Sequence, residues 1–366
     1  MPYNDKPNNR RPYGGDNRRS SHQGGTWQGR NNDDRKYAGY RRSDLQCVPN
    51  PYVDFNRMGN IGLLYTRGYY DGINEQVLNK VPINVETNTG NGIKREKTNH
   101  QAIYYRSRNE NIICQSKQFI EPKAIPNSIP IELTTAYPGL LTGIGILHGT
   151  GHEGEAKLGL MFDHTTGLPY LPGSSVKGLL RSMFPLGDIE IAKKIEKMVE
   201  RVADNRKKEK LQDKAAELRK RSEEKRSFIV KILGKENFTK EMVDDLEESI
   251  FDGIEIVSDE KTGAPTEITV TRRDIFFDAF PIKAEKHGLL GLDYITPHKD
   301  EFSNPKPIQF MRIEPDVTFR FEFLLQDSKK YGEIICDKED KIKLFREILT
   351  TVGIGAKTNV GYGQLK

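Results

Sequence analysis

The sequence predicts an α+β fold, and three observations carry that prediction. Residues 131–137 and 316–325 alternate apolar and polar side chains, the mark of half-buried strands. Residues 174–184 and 338–352 space their apolar residues for helices, with Val176, Leu179, Leu180 and Met183 on one side of the first. From residue 131 the order is strand, glycine loop, helix, long insertion, strand, strand, helix, glycine loop, strand. With the insertion set aside this is the βαββαβ order of a ferredoxin-like (RRM-like) domain, the sheet platform that RNA-recognition modules use.

The first segment, 1–46, cannot fold alone, because Leu45 is its one large aliphatic residue after Met1. It holds ten Lys/Arg and five Asp, so its net charge of +5 equals that of the whole 366-residue chain, and 47–366 is balanced. Tyr3, Tyr13, Trp27, Tyr37 and Tyr40 lie among its arginines. Arginine neutralises phosphate and rings stack on bases, so this disordered basic tail suits single-stranded nucleic acid. A purely solubilising leader is the other reading. The remainder, 47–366, reads as one domain with an N-terminal extension at 47–128, a core at 129–187 and 251–366, and an insertion at 188–250.

In the extension, 53–80 reads as a turn and a helix, and 81–128 as loops and short strands, with 104–105 and 111–114 as a hairpin. The core opens on the strand at 131–137. Gly143, Gly145, Gly149, Gly151 and Gly154 follow in a loop too rich in glycine for caps and turns alone, so backbone there is expected to approach a partner closely. Ser174 reads as the cap of the next helix. Residues 188–233 hold fifteen Lys/Arg, with apolar stripes at Ile191, Ile195, Met198 and Val202 and at Leu211, Ala215 and Leu218. They read as a helical hairpin or one long helix with a solvated charged face. Residues 274–282 read as one strand, and a second glycine loop at 353–363 leads into a short final strand.

Several function classes are excluded or weakened. The longest apolar stretch, near 139–147, is half the ~18 residues of a membrane helix, and the first thirty residues carry no secretory h-region. Cys47, Cys114 and Cys336 form no CxxC pair, so neither a disulfide framework nor a thiolate zinc site is expected, in keeping with a reducing cytoplasm. His148 and His152 are four apart but separated by Gly-Thr-Gly, so no helix presents them to a metal, and no cofactor is expected. A glycine-loop histidine could instead serve as acid or base on a ribose hydroxyl. The run at 172–178 is not a Walker motif, but a capped helix start with Lys177 one turn in offers an anion site.

NIGLLYTRGYY at 60–70, GLPYLPGSSVKGLLRS at 167–182 and DIFFDAFPI at 274–282 occur in order, followed by LDYITPHKDEF at 292–302, PIQFMRIEPDVTFRFEF and GIGAKTNVGYGQL. In these blocks the chain resembles the RAMP superfamily of type III CRISPR effector complexes, most nearly the family of the sixth subunit of the Cmr (type III-B) complex. The resemblance implies a cytoplasmic, non-catalytic subunit. It would bind CRISPR RNA near its 3′ end, alongside target RNA and other Cmr-complex subunits. Cleavage would belong to a sister subunit, the rival being an endoribonuclease with His148 or His152 as acid/base. The candidate RNA contacts are Gly173, Ser174, Ser175, Lys177 and Arg181, then Gly353, Gly355, Lys357, Thr358, Asn359, Gly361 and Tyr362. A further candidate loop holds Gly143, Gly145, His148, Gly149, Gly151 and His152. Bulk at Gly355 or Gly361 is expected to weaken RNA binding more than stability.

Overall fold

A computed structural model describes residues 59–79, 82–89, 92–143, 151–157, 160–259, 263–270, 273–285, 287–296 and 307–366. The chain begins with α1 (Ile61–Thr66), α2 (Glu75–Leu78), β1 (Pro82–Thr89), β2 (Gly92–Asn99), α3 (His100–Gln115) and β3 (Ile129–Thr134). Four helices follow: α4 (Gly173–Ser182), α5 (Leu186–Val199), α6 (Asn205–Leu233) and α7 (Met242–Phe251). Next come β4 (Ile254–Ser258), β5 (Pro265–Thr269), β6 (Ile275–Phe276), β7 (Phe280–Ala284), β8 (Leu290–Ile295) and β9 (Ile308–Ile313). The chain closes with β10 (Val317–Leu324), β11 (Ser328–Lys330), β12 (Glu333–Cys336) and α8 (Lys338–Val352). The architecture is mixed α+β.

β10 organises the central sheet. It pairs antiparallel with β3 on one side and with β6 and β7 on the other. The chain end adds a further antiparallel rung outside β3, through Thr134 N to Lys366 O and Lys366 N to Thr134 O, each 2.9 Å. The alternation in β10 decides which face is buried. Val317, Phe319, Phe321 and Phe323 point into the core with Ile131 and Leu133 of β3. Val176 and Leu180 of α4 and Leu344, Phe345, Ile348 and Leu349 of α8 are buried in the same cluster. Both helices therefore lie on one face of the sheet.

The opposite face is polar. Thr134 and Thr318 share a hydroxyl bond of 3.0 Å, Arg320 pairs with Glu132 and Glu121, and Glu322 accepts from Ser128 Oγ and Ile125 N. The 121–128 segment thus lies over this face. A stacking platform needs exposed rings on these strands, and here the outward side chains are a charged ladder instead.

A second sheet runs β12-β11-β4-β5, and β8 and β9 form a separate antiparallel pair. α5 and α6 form the hairpin allowed by the heptad stripes. Its distal half packs on a small cluster of its own, Ala192, Ile195, Val199, Ala215 and Leu218. The Lys341 ammonium of α8 and the Asp274 carboxylate ahead of β6, both buried, meet at 2.6 Å.

Five expectations are corrected. Residues 100–115 form α3, not loops and a hairpin. Residues 274–282 divide into β6 and β7, whose shared partner β10 shifts register between Thr318 and Phe319. The cap of α4 is Pro172 rather than Ser174, and no side chain of its own caps the helix. Cys114 is disulfide-bonded, against the expectation of free thiols, while Cys336 is free and buried. The segment expected as one helix within 53–80 is broken into α1, a 3-10 turn at Gly68–Tyr70 and α2, its part before residue 59 lying outside the described residues. No described helix is long and apolar enough to cross a membrane.

Candidate nucleic-acid interface

The C-terminal glycine loop is tied to a ridge at 139–141. Leu140 exchanges backbone hydrogen bonds with Ile313 at the end of β9, of 3.0 and 2.9 Å. On its other side the ridge accepts from the loop, Ala356 N to Leu141 O and Gly363 N to Gly139 O, each 2.8 Å. The loop also closes on itself through Ile354 N to Gly363 O. Gly355 is required here: its φ is +96°, and a Cβ would overlap the Leu141 carbonyl oxygen.

These bonds decide which amides remain available. Gly353 donates to Leu349 O, Gly361 to Thr358 O, and Tyr362 to Lys357 O. Among the described residues no hydrogen bond engages the amides of Gly355, Lys357, Thr358 or Asn359. Lys357 is left-handed, with φ +61°, and starts a 3-10 turn that leaves Asn359 and Val360 exposed. Consecutive unsatisfied amides with a lysine among them suit an anion.

The two glycine clusters meet at this place. A Cβ on Gly143 would stand 2.9 Å from that of Ala356. Gly145, His148 and Gly149 lie outside the described residues. Beside Gly361 stands Pro138, joined to Tyr137 by a cis peptide, and Tyr137 is 82% exposed. No composition or spacing signal marked Tyr137. Only the fold brings Pro138, and with it Tyr137, beside a loop more than 200 residues further along the chain.

The structure gives other sequence candidates internal partners. Gly173 donates its amide to Asp278 Oδ1 at 2.7 Å, so a carboxylate of the β6–β7 turn already occupies the start of α4. A Cβ on Gly173 would overlap the Phe276 carbonyl, which is the reason for glycine there. Ser175 N bonds back to Pro172 O, and Ser174 is exposed beside the same carboxylate-capped start. Lys177 Nζ donates to Phe251 O at 2.6 Å, completing the C-terminal end of α7. Arg181 makes a two-pronged contact with Asp252, at 2.9 and 2.7 Å. The expected anion site of Gly173, Ser174, Ser175, Lys177 and Arg181 thus has internal partners, and a phosphate there would meet Asp278 and compete with existing bonds.

Tyr362 likewise has internal partners. It is buried with Leu141 and Phe310, and its hydroxyl donates to Asp293 Oδ2 at 2.7 Å. Burial and that carboxylate push its phenol up to about 12. Arg312 meets the same carboxylate at 2.5 Å, so Asp293 pins the glycine loop to the β8–β9 pair. In the other loop, Gly151 N bonds to Glu155 Oε2, and His152 Nδ1 lies 2.7 Å from the Tyr105 hydroxyl. Among the described residues no group of three His, Cys, Asp or Glu could hold a metal.

The model of the RAMP superfamily matches residues 132–366. This chain belongs to the RAMP superfamily. The match begins in β3 and takes in the central sheet, its two helices and the C-terminal loop. The chain is also similar to the CRISPR system Cmr subunit Cmr6 of Pyrococcus furiosus, at 25% identity over 240 residues, covering 59% of this chain and 63% of that protein. The chain thus spans less than two thirds of that relative's length. Among solved structures, the crystal structure of Cmr6 from Pyrococcus furiosus aligns at 20% identity with TM-score 0.33, covering 66% of this chain and 98% of that one. A cryo-EM structure of the type III-B Cmr-beta bound to cognate target RNA contains a chain aligned at 22% identity with TM-score 0.35, covering 65% and 57%.

Proposed function

We propose that this RAMP protein is a non-catalytic RNA-binding subunit of a cytoplasmic type III-B CRISPR ribonucleoprotein, seated near the 3′ end of the CRISPR RNA beside other Cmr subunits and target RNA. The observation that carries the reading is the set of open amides at Gly355, Lys357, Thr358 and Asn359, beside the exposed ring of Tyr137 on a RAMP core. Amides and Lys357 take phosphate, Asn359 offers a hydrogen bond to a 2′-hydroxyl, and Tyr137 stacks on a base.

The strand order, chain end–β3–β10–β6/β7 with helices on one face, supports reading the core as ferredoxin-like with α5–α7 inserted. Residues 129–187 and 251–366 would form that core, 47–128 its extension and 1–46 a basic tail. The charged ladder on the polar face, with 121–128 lying over it, directs RNA to the loops rather than to the strands.

The test measures binding of the full chain to a short single-stranded RNA by fluorescence anisotropy. The Tyr137→Ala/Lys357→Ala/Asn359→Ala variant is expected to bind at least tenfold more weakly with its melting temperature retained; unchanged affinity overturns the assignment. The same protein should leave guide and target RNA intact with or without a divalent metal. Cleavage that disappears in His148→Ala or His152→Ala would establish the endoribonuclease instead.

A further inference from the structure

The α5–α6 hairpin carries a face that the RNA-binding reading does not use. α5 leaves two large apolar side chains in water, Ile191 at 47% and Met198 at 55% exposure. They are seven residues apart and so lie on one side of the helix, two turns from each other. Their helix already buries Ala192, Ile195 and Val199 against α6. Ile191 and Met198 are therefore additional to the hairpin's own packing.

Which part of α6 flanks them follows from the register. Ile191 borders the same groove as Arg221 and Lys225. Arg221 and Lys225 both reach Asp188, at 2.5 and 2.6 Å. Moving toward the tip, Lys214 and Lys207 follow Arg221 at seven-residue steps, and Lys210 lies one turn from each. Among the described residues no ion pair engages Lys207, Lys210 or Lys214, and all three are exposed. The ion pair Arg219–Glu196 closes the other side of the hairpin. Lys194 of α5 and Arg201 just beyond its end lie four and three residues from Met198 in sequence, with Lys194 3.9 Å from Glu190. Glu190, Glu217 and the buried Asp188 are acidic residues on this side, and Glu247 lines the groove at its base. Basic side chains outnumber them.

We infer that this face is a docking surface for another protein chain, whose contacting segment has apolar residues flanked by carboxylates. Three features select that occupant. Half-exposed aliphatic side chains gain from apolar contact, which a phosphate backbone cannot supply. The exposed face offers no aromatic ring on which a base would stack. A second copy of the hairpin would bring its own lysines against these and be repelled. The small separate core of the distal half lets the hairpin present this face without disturbing the central sheet.

The experiment places p-benzoylphenylalanine at position 198 of the full chain, expressed in its own host, and maps the products of ultraviolet crosslinking by mass spectrometry. The expected result is one dominant crosslink, to a carboxylate-flanked apolar segment of a single co-purifying protein. The crosslink should fall at least tenfold in Lys207→Glu/Lys214→Glu and in Ile191→Asp, with helix content retained by circular dichroism. Crosslinks to RNA, to a second copy, or scattered over many proteins overturn the inference, as does a crosslink that survives both variants. RNA affinity through Tyr137, Lys357 and Asn359 is measured separately, so either idea can fail alone.

Discussion

Glu247 shows how one buried group links stability to pH. Its side chain is fully buried, accepts from Leu186 N at 2.8 Å, and has Arg181 Nε 3.5 Å away. Burial dominates and raises its carboxyl to about 7. A carboxyl raised on folding stabilises the fold while protonated, so this contribution is complete below the unfolded value and is lost as pH rises through about 7. The loss is on the order of 3 kcal/mol. Glu247→Gln keeps the shape without the charge. Denaturant melts should show it matching the wild type near pH 5 and exceeding it near pH 8; parallel losses in both proteins would place the effect elsewhere. Gly355 is the second case. Because a Cβ there overlaps the Leu141 carbonyl at positive φ, Gly355→Ala should cost about 2–3 kcal/mol. Thermal melting checks this. The result would reverse the sequence-based expectation that RNA binding suffers first. Gly361 has only Pro138 Cδ at 3.6 Å in that direction, so Gly361→Ala should cost less.

At the scale of elements, α8 and α3 show why one helix is legible and another is not. α8 has an Asp337 cap accepting from Asp340 N, acidic residues in its first turn, and an apolar buried face. Its boundaries match those read from periodicity. α3 buries His100, Gln101, Tyr104, Tyr105, Arg108, Asn109 and Ile112 at helical spacing. Half of that buried face is polar, with Tyr69 OH to Asn109 at 2.8 Å among its bonds, so no apolar stripe reveals it. The α8–β6 junction gives a prediction. Lys341 Nζ donates to Asp274 at 2.6 Å and to Gln326 O at 2.7 Å, both charged side chains being buried. Lys341→Met strands the carboxylate and should cost about 3–5 kcal/mol, whereas adding Asp274→Leu should restore most of it. A double variant no more stable than the single one would show that the pair does more than neutralise charge.

For the whole molecule, charge is partitioned along the chain: 1–46 carries +5 and the rest is neutral. If the tail engages four phosphates of a single strand, it contributes a slope of about −3 to log affinity against log salt. Deleting residues 1–46 should flatten that dependence, weaken binding for every sequence alike, and leave the melting temperature nearly unchanged. An unchanged slope would make the tail a solubilising leader, and a large drop in melting temperature would move the domain boundary.

The sequence by itself determined the α+β class, the helical character of 188–233, the bounds of α8 and membership in the RAMP superfamily. All of these rest on periodicity and motifs read over short windows. The break of 188–233 into a hairpin came from the structure. Tertiary structure alone decided which candidate groups are open. Asp278 reaches Gly173 across 105 positions, Asp252 reaches Arg181 across 71, and Asp293 reaches Tyr362 across 69. Each partner is a carboxylate, and a carboxylate's partner depends on the fold rather than on its neighbours in sequence. Among the described residues the same folding leaves the amides at 355 and 357–359 without hydrogen-bond partners. Glycine content marks where backbone must approach something closely, but only the fold shows that at Gly173 and Gly355 it is the chain itself.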